Sequence, residues 1–179
     1  MSRLGSAIGR DAFDERGTAA LELAIALPIL VMLLLGTVTS GLALFNHISL
    51  NGAAREASRF GATYPEDDAA SPDAWFVDVA TVAEVTATGA LGDAIAGRSI
   101  CVALGTEGGS VRHYLVGPGD PINGGTYADA WCPPGAPSLP ATSGHEAVQI
   151  VVEREALIQA LFFSTTVRLD ADATTRFER

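Results

Sequence analysis

The chain contains no lysine, and its eleven basic residues are all arginines. Acidic residues outnumber them 21 to 11, so the formal net charge is −10. Up to residue 65 five arginines balance five acidic residues, and the whole excess therefore lies in residues 66–179. An acidic domain repels a phosphate backbone, so nucleic acid is not an expected partner.

The sequence also lacks the common catalytic and nucleotide-binding motifs. It has no G-x-S-x-G elbow, Walker loop, G-x-G-x-x-G or H-E-x-x-H. Asp170 and Asp172 share one side of a predicted strand, which is more typical of a solvated sheet face than of an acid–base pair. The two cysteines with His113 and His145 lack zinc-site spacing. We therefore expect no enzyme activity, no metal and no cofactor.

A long stretch without formal charge occupies residues 23–54. Its densest apolar part, Leu23 to Phe45, would be roughly 35 Å long as a helix, and the hydrocarbon core of a bilayer is about 30 Å thick. A cleavable export signal has a shorter apolar core and a small-residue cleavage site, which Gly41–Ala43 imitates poorly. We predict a retained transmembrane helix, with a cleavable signal as the alternative.

Small residues in this run indicate a surface for helix packing. Gly36 and Ser40 lie four residues apart, as do Thr37 and Gly41, and this spacing lets helix backbones approach closely in lipid. The general abundance of small residues in membrane helices explains the same pattern without a partner. Pro28 removes one backbone hydrogen bond and favours a bend.

The helical pattern continues beyond the apolar run. A single helix from Thr18 to about Phe60, roughly 65 Å long, should end near residues 61–65, where glycine and proline occur. Near its end Arg55 and Arg59 lie four residues apart, with Glu56 three before Arg59. Three arginines precede the run and two follow it, which favours a cytoplasmic N-terminus.

A glutamate stands at the N-terminal edge of the run, in the segment RGTAALE at residues 16–22. A carboxylate at the start of a membrane helix is costly and usually functional. The simpler interpretation places Glu22 at the headgroups, beside the positive end of the helix. Gly17, four intervening residues and Glu22 before an apolar helix nevertheless resemble the processing site of type IV pilin-like precursors.

Residues 16–61 as a whole resemble the TadE-like family of pseudopilins in tight-adherence (Tad, Flp) pilus systems. That family reads RG-x-A-x-x-E and an aromatic residue, then an apolar run with a proline and a small-rich A-A-R-E-x-x-R stretch. This chain has Leu23 where the aromatic residue is usual. The matching positions are Arg16, Gly17, Glu22, Pro28, Ala53, Ala54, Arg55, Glu56 and Arg59.

The resemblance implies a minor pseudopilin or pilus-assembly subunit that acts through helix packing and protein contacts and is not an enzyme. A prepilin peptidase would cut between Gly17 and Thr18, and Glu22 would pair with the new amine, because an ion pair in low dielectric needs both members. The implied partners are membrane lipid, other pilin-like or Tad assembly proteins and, if the bond is cut, that peptidase. A single-pass protein of the cell membrane would then have a cytoplasmic leader at 1–17, a transmembrane and juxtamembrane helix at 18–61, and an extracytoplasmic head at 66–179.

The head sequence predicts an α+β fold with one helix and an antiparallel sheet of about four strands. Ser71 and Pro72 form a helix start, and the predicted buried face of that helix carries Trp75, Val79, Val82 and Thr86. Gly89 and Gly92 should end it. Strands are predicted from the apolar alternation at 98–104, 111–116, 147–154 and 166–173.

Two segments of the head leave alternatives open. Ala156–Phe163 is either a short core helix, the usual preference of such residues, or an apolar lip at the membrane surface. Residues 117–144 hold 12 Gly and Pro in 28 positions, so no regular element is expected there. So long a loop serves either a partner contact or flexible surface.

The two cysteines, Cys101 and Cys132, both lie in the head. An even count in an exported domain favours a disulfide, which also agrees with a head outside the cytoplasm. The bond would tie the first strand to the long loop and stabilise the fold by roughly 3–4 kcal/mol on the chain-entropy model. Two buried free thiols are the alternative.

Two other functions compete with the pilus hypothesis. The second hypothesis is a membrane-anchored binding module, unrelated to pili, that recognises an extracellular ligand through loop 117–144. The third is an exported enzyme held by its N-terminus, which the missing motifs disfavour.

Overall fold

The computed structural model describes residues 11–64, 66, 69–92, 95, 97–106, 109–133, 146–159 and 164–177, with side chains from residue 17 onward. A long helix leads into a small domain with a five-stranded antiparallel sheet and two shorter helices, so the predicted α+β class is confirmed. The elements in chain order are α1 (Asp11–Thr63), α2 (Pro72–Thr86), α3 (Thr88–Leu91), β1 (Ser99–Gly105), β2 (Val111–Val116), β3 (Thr126–Ala128), β4 (Ala147–Gln159) and β5 (Ser164–Arg176).

Helix α1 has 53 residues, which makes it about 80 Å long at 1.5 Å per residue. It begins before the predicted start at Thr18 and ends where glycine and proline were expected to stop it. Most large apolar side chains from Leu21 to Ile48 are exposed, whereas Leu50 is fully buried. One continuous helix is therefore an exposed apolar segment at residues 21–48, which we call the apolar rod, and a core element in its last turns from Leu50 onward.

The sheet has the strand order β3-β2-β1-β4-β5 with every neighbouring pair antiparallel. Strand β1 pairs with β2 from Ile100↔Val116 to Gly105↔Val111 and with β4 from Ser99↔Glu153 to Gly105↔Ala147. The prediction of four strands was one short. The missing strand, β3, lies inside the loop for which no regular element was expected.

Helices α1 and α2 cover one face of this sheet, where the prediction had a single helix. The α2 N-cap is the predicted one, since Ser71 Oγ accepts a hydrogen bond from the Ala74 amide at 3.1 Å. Thr86, predicted for the buried face, is exposed because α2 ends at that residue. Alternate β4 residues enter the same core, as predicted, and the fully buried side chains there are Val148, Ile150 and Val152.

The opposite face of the sheet carries a smaller cluster centred on Cys101 and Cys132. These cysteines form the predicted disulfide, with a Cα–Cα distance of 5.8 Å. Trp131 packs against the cluster. The described part of the long loop, up to residue 133, is thus fastened back onto the sheet; residues 134–144 lie outside the described residues.

Strands β4 and β5 form a hairpin much longer than the rest of the sheet. They pair without interruption from Ala147↔Arg176 to Gln159↔Ser164. Of the two alternatives for residues 156–163, the short core helix is wrong for residues 156–159, which continue β4, and the apolar lip is untested. Residues 160–163 lie outside the described residues.

Candidate functional site

The residues of the predicted processing site lie inside α1. Gly17, Thr18 and Glu22 belong to one uninterrupted helix, and all three are exposed. Thr18 and Glu22 are four residues apart and so share a helix face, which places the carboxylate on the side of the residue whose amine cleavage would free. Cleavage and the pairing with Glu22 remain predictions.

The predicted packing residues of the apolar rod make no close approach within the described part of the chain. A Cβ added at Gly36 or Gly41 would meet nothing within 4 Å, and Ser40 is exposed. Thr37 Oγ1 donates to the Leu34 carbonyl at 2.9 Å, so its hydroxyl is paired within the helix, as hydrocarbon requires. The surface around these glycines is open to lipid or to a second helix, and its use remains a prediction.

Residues 53–59 of α1, which we call the juxtamembrane motif, have a buried side and an exposed side. Its small residues, Ala53, Ala54 and Ala57, are fully buried in the head core. Its charged residues point outward, and Arg59 Nη2 binds Glu56 Oε1 at 3.0 Å with 73% and 48% of the two side chains exposed. Such exposed pairs stabilise a fold by only ~0.2–1 kcal/mol. The small residues therefore pack in the core, and the exposed side of this segment is a charged face formed by Arg55, Glu56 and Arg59.

Gly61 is a packing residue that the sequence suggested only as a helix end. A Cβ at this position would lie 3.1 Å from Val148 Cγ1 and 3.3 Å from Trp75 Cζ2. The indole Nε1 of Trp75 also donates to the Tyr64 carbonyl at 2.7 Å. Glycine thus lets α1, α2 and β4 converge at the C-terminal end of the long helix.

A buried arginine joins three elements of the head. Arg98 is fully buried, and its Nη1 donates to Glu84 Oε1 at 3.0 Å and to the Leu91 carbonyl at 2.7 Å. Its Nη2 donates to the Asp120 carbonyl at 2.5 Å. A guanidinium with its rigid fork suits this bridge between α2, the end of α3 and the β2–β3 loop. The sequence had shown Arg98 only as the first residue of a predicted strand.

A cluster of aromatic and charged side chains lies at the N-terminal end of α2. Arg112 binds Asp73 at 2.5 Å and stacks with its Cζ 4.9 Å from the ring centre of Tyr127. The Tyr127 hydroxyl donates to the Asp73 carbonyl at 3.2 Å. Burial, followed by the negative charge of Asp73, raises the pKa of Tyr127, and the nearby Arg112 only partly opposes this.

The raised pKa makes a testable contribution to alkaline stability. Because the fold favours the neutral phenol, this contribution is fully present below the usual pKa of 10.0 and is lost as pH rises through the higher folded value. In urea unfolding from about pH 9 to pH 11, we expect the stability of Tyr127→Phe to fall less steeply than that of the wild type. Equal slopes for the two proteins would contradict this.

Among residues 11–64, 66, 69–92, 95, 97–106, 109–133, 146–159 and 164–177, no three His, Cys, Asp or Glu residues group to hold a metal. An open groove of about 340 Å³ lies on the disulfide side of the sheet. Its lining combines loop residues Gly117 and Pro133 with Glu153 and Arg168 of the hairpin.

Comparison with known proteins finds a match for most of α1. A family model described as TadE-like protein matches residues 17–59. Residues 17–59 are TadE-like. This TadE-like segment covers the apolar rod and most of the turns that enter the head core, and it confirms the resemblance predicted from the motif. No curated protein and no solved structure matches the chain.

The TadE-like segment lies in a helix with the length and composition of a membrane span. Within the part of the chain that the structure describes, one helix is long and apolar enough to cross a bilayer, over Gly17–Thr63. No residue of its most apolar window is buried. These features fit a membrane subunit associated with a Tad pilus.

Proposed function

We propose that this chain is a minor pseudopilin or assembly subunit of a Tad-type pilus, anchored by α1 with its head outside the cytoplasm. The observation that carries the proposal is the position of the TadE-like segment, which joins an exposed apolar rod to the head core without a break. A helix built this way transmits any contact made in the membrane directly to the head. The protein acts by assembly rather than by catalysis.

Two observations support the orientation of the head. The Cys101–Cys132 disulfide is stable in an oxidising compartment, and the cytoplasm would keep both thiols reduced. The excess of arginine before the apolar run agrees with a cytoplasmic N-terminus. In this arrangement Gly17 and Thr18 lie on the cytoplasmic side, where a prepilin peptidase would meet them.

The proposal assigns different partners to different parts of α1. The surface around Gly36, Ser40 and Gly41 packs against other pilin-like helices, because small residues allow close approach in lipid. The charged face of Arg55, Glu56 and Arg59 lies just outside the membrane and contacts other Tad assembly proteins. Both surfaces are exposed in the isolated chain.

Glu22→Ala is expected to impair incorporation into the pilus machinery while leaving the head folded. The substitution removes the carboxylate that would pair with the Thr18 amine, and the amine then stays uncompensated in low dielectric. The measurements are co-purification with the assembly complex in a host that carries the Tad genes, and intact mass with N-terminal sequencing. A chain beginning at Thr18 supports processing.

The matched control is Asp172→Ala, which also removes one exposed carboxylate but lies on β5, outside both proposed contact surfaces of α1. Disulfide formation and urea unfolding should match the wild type in both variants. Normal piliation with Glu22→Ala would count against the proposed role of the carboxylate. A chain that keeps its original N-terminus would leave the anchor in place but remove pilin-like processing.

A membrane-anchored binding module is the second candidate, and the open groove favours it. Loop residues Gly117, Pro118 and Pro133 line this groove together with the hairpin. Genes for a secretion ATPase and other Tad components beside this one would favour the pilus subunit. Their absence would favour the binding module.

A further inference from the structure

The β4–β5 hairpin projects beyond the sheet on the side toward the apolar rod. The register of β1 with β4 ends at Ser99↔Glu153, so the residues after Glu153 are paired by β5 alone. The six residues Arg154–Gln159 extend the hairpin by roughly 20 Å at about 3.3 Å per residue. The extension runs along α1, because Thr175 Oγ1 contacts Ser58 at 2.9 Å and the other end of the hairpin reaches Thr39.

The far end of the hairpin meets α1 inside its apolar run. Thr39 Oγ1 lies 3.4 Å from the carbonyl oxygen of Gln159. If the hydrocarbon core begins at Leu23, its thickness of about 30 Å ends near Leu42. Thr39 is then roughly 5 Å below the outer surface of the hydrocarbon. Any membrane that α1 spans must therefore meet the end of this hairpin.

The composition of the hairpin end suits such a position. We define the hairpin end as residues 156–159 and 164–167, and the sequence carries no charge from 156 to 167. Leu157 is 56% exposed although it is a large apolar residue on a regular strand. By strand alternation it faces away from the α1 side, where Ala156 is buried. Val167 is paired with Ala156 and so lies on the α1 side, yet it is 37% exposed.

The charged residues of the hairpin and its unpaired strand edges limit how deeply it can enter the membrane. Glu155 and Arg168 are directly paired in register, about 13 Å before Gln159 along the strand. Arg168 binds Glu153, but 66% of its side chain is exposed, so the guanidinium can also meet lipid phosphate. Unpaired strand edges are not tolerated in hydrocarbon. Only the last residues of the hairpin can therefore lie below the headgroups.

We propose that the hairpin end lies at the membrane–water interface on the side where the head lies, and that it binds lipid there as a second membrane contact beside α1. This rests on the proposed function in one respect, namely that α1 spans the membrane with the head outside. A helix alone leaves the head free to rotate about the helix axis. A second contact on one side of α1 fixes the direction in which the chain tilts against the bilayer, and with it the angle at which the charged face of Arg55, Glu56 and Arg59 is held above the membrane.

The test uses the full chain in liposomes of phosphatidylcholine and phosphatidylglycerol. Leu157→Cys is labelled with an environment-sensitive fluorophore without reductant, so that Cys101 and Cys132 stay in their disulfide and unreactive. Lipids with a nitroxide near the headgroup serve as shallow quenchers and lipids with a nitroxide far down the chain as deep ones. Val167→Cys provides a second labelled position on the hairpin end.

Two further labelled variants serve as references. Leu33→Cys lies in the middle of the apolar run. Asp172→Cys lies on β5 opposite Val151, in the part of the hairpin that also pairs with β1. We expect shallow quenchers to remove a several-fold larger share of emission at positions 157 and 167 than at 172. Deep quenchers should act on position 33.

The possible failures separate the two proposals. If position 33 is quenched but 157 and 167 match 172, the lipid contact is overturned and the anchor stands. If position 33 is not quenched either, α1 does not span the membrane and the proposed function loses its anchor. Blue-shifted emission at 157 that resists lipid quenchers and disappears on dilution with lipid would indicate a neighbouring subunit and would also overturn the lipid contact.

Discussion

Arg98→Ala is expected to lower the free energy of unfolding by about 3–5 kcal/mol, the range for removing one partner of a buried ion pair. The side chain is fully buried, whereas its partner Glu84 remains 17% exposed. The substitution would leave the Glu84 carboxylate without its cation inside the fold. It would also remove the donor from the carbonyls of Leu91 and Asp120, and each such buried group costs about 1–3 kcal/mol when unsatisfied.

Urea unfolding of the full chain in detergent micelles measures this loss through the emission of Trp75 and Trp131. The matched control is Arg176→Ala, which removes an exposed arginine from a strand and should change stability by no more than about 0.5 kcal/mol. Arg98→Lys keeps the charge but lacks the planar fork, so an intermediate loss is expected. If Arg98→Ala lost no more than the control, the three hydrogen bonds would not hold the head together.

Local patterns predicted the parts of the fold whose cause is local. The run of apolar residues required a long helix, and that helix ends at Thr63, within the range 61–65 predicted from glycine and proline. Ser71 and Pro72 set the start of α2 through a side chain to backbone bond that any chain with this pair can form. Alternation at 147–154 placed Val148 and its neighbours on one face because side chains in a strand point to opposite sides in turn.

Elements that depend on distant partners were missed. Strand β3 has three residues, and it exists because Tyr127 pairs with Tyr114 across the sheet rather than because of its own sequence. Residues 156–159 continue β4 because β5 pairs with them, although their apolar run fits a helix equally well. Arg98 is buried only because α2, α3 and a loop supply acceptors that lie apart in sequence.

In the candidate site, too, the motif predicted which residues matter but not which contacts they make. The family motif indicated which residues of α1 matter, but it did not separate Ala53 and Ala54, which pack in the core, from Arg55 and Arg59, which face outward. That separation follows from helical periodicity only once the sheet fixes which side of α1 is covered. The contact of Thr39 with the hairpin joins residues 120 positions apart and has no signal in the sequence.

Removal of the disulfide by Cys101→Ala with Cys132→Ala is expected to lower the free energy of unfolding by about 3–4 kcal/mol, because the unfolded chain regains the freedom of a closed loop. The two cysteines are separated by 31 residues. The loss should appear in urea unfolding of the full chain. Reduced wild-type protein is the control, since it loses the covalent bond but keeps both sulfur atoms in place.

The contacts around the disulfide decide whether its removal lowers the stability of the whole head or only loosens the loop. The Cys132 amide donates to Gln149 Oε1 at 3.2 Å, and His113 Nδ1 donates to the Ala130 carbonyl at 2.8 Å. A Cβ on Gly105 would lie 2.6 Å from the Trp131 ring, so this indole sits tightly on the sheet. These contacts should hold the loop in place after reduction and let the whole head unfold together. If reduction instead exposed residues 117–133 to protease while the unfolding midpoint stayed constant, the disulfide would fasten only the loop, and the expected loss for the head would be wrong.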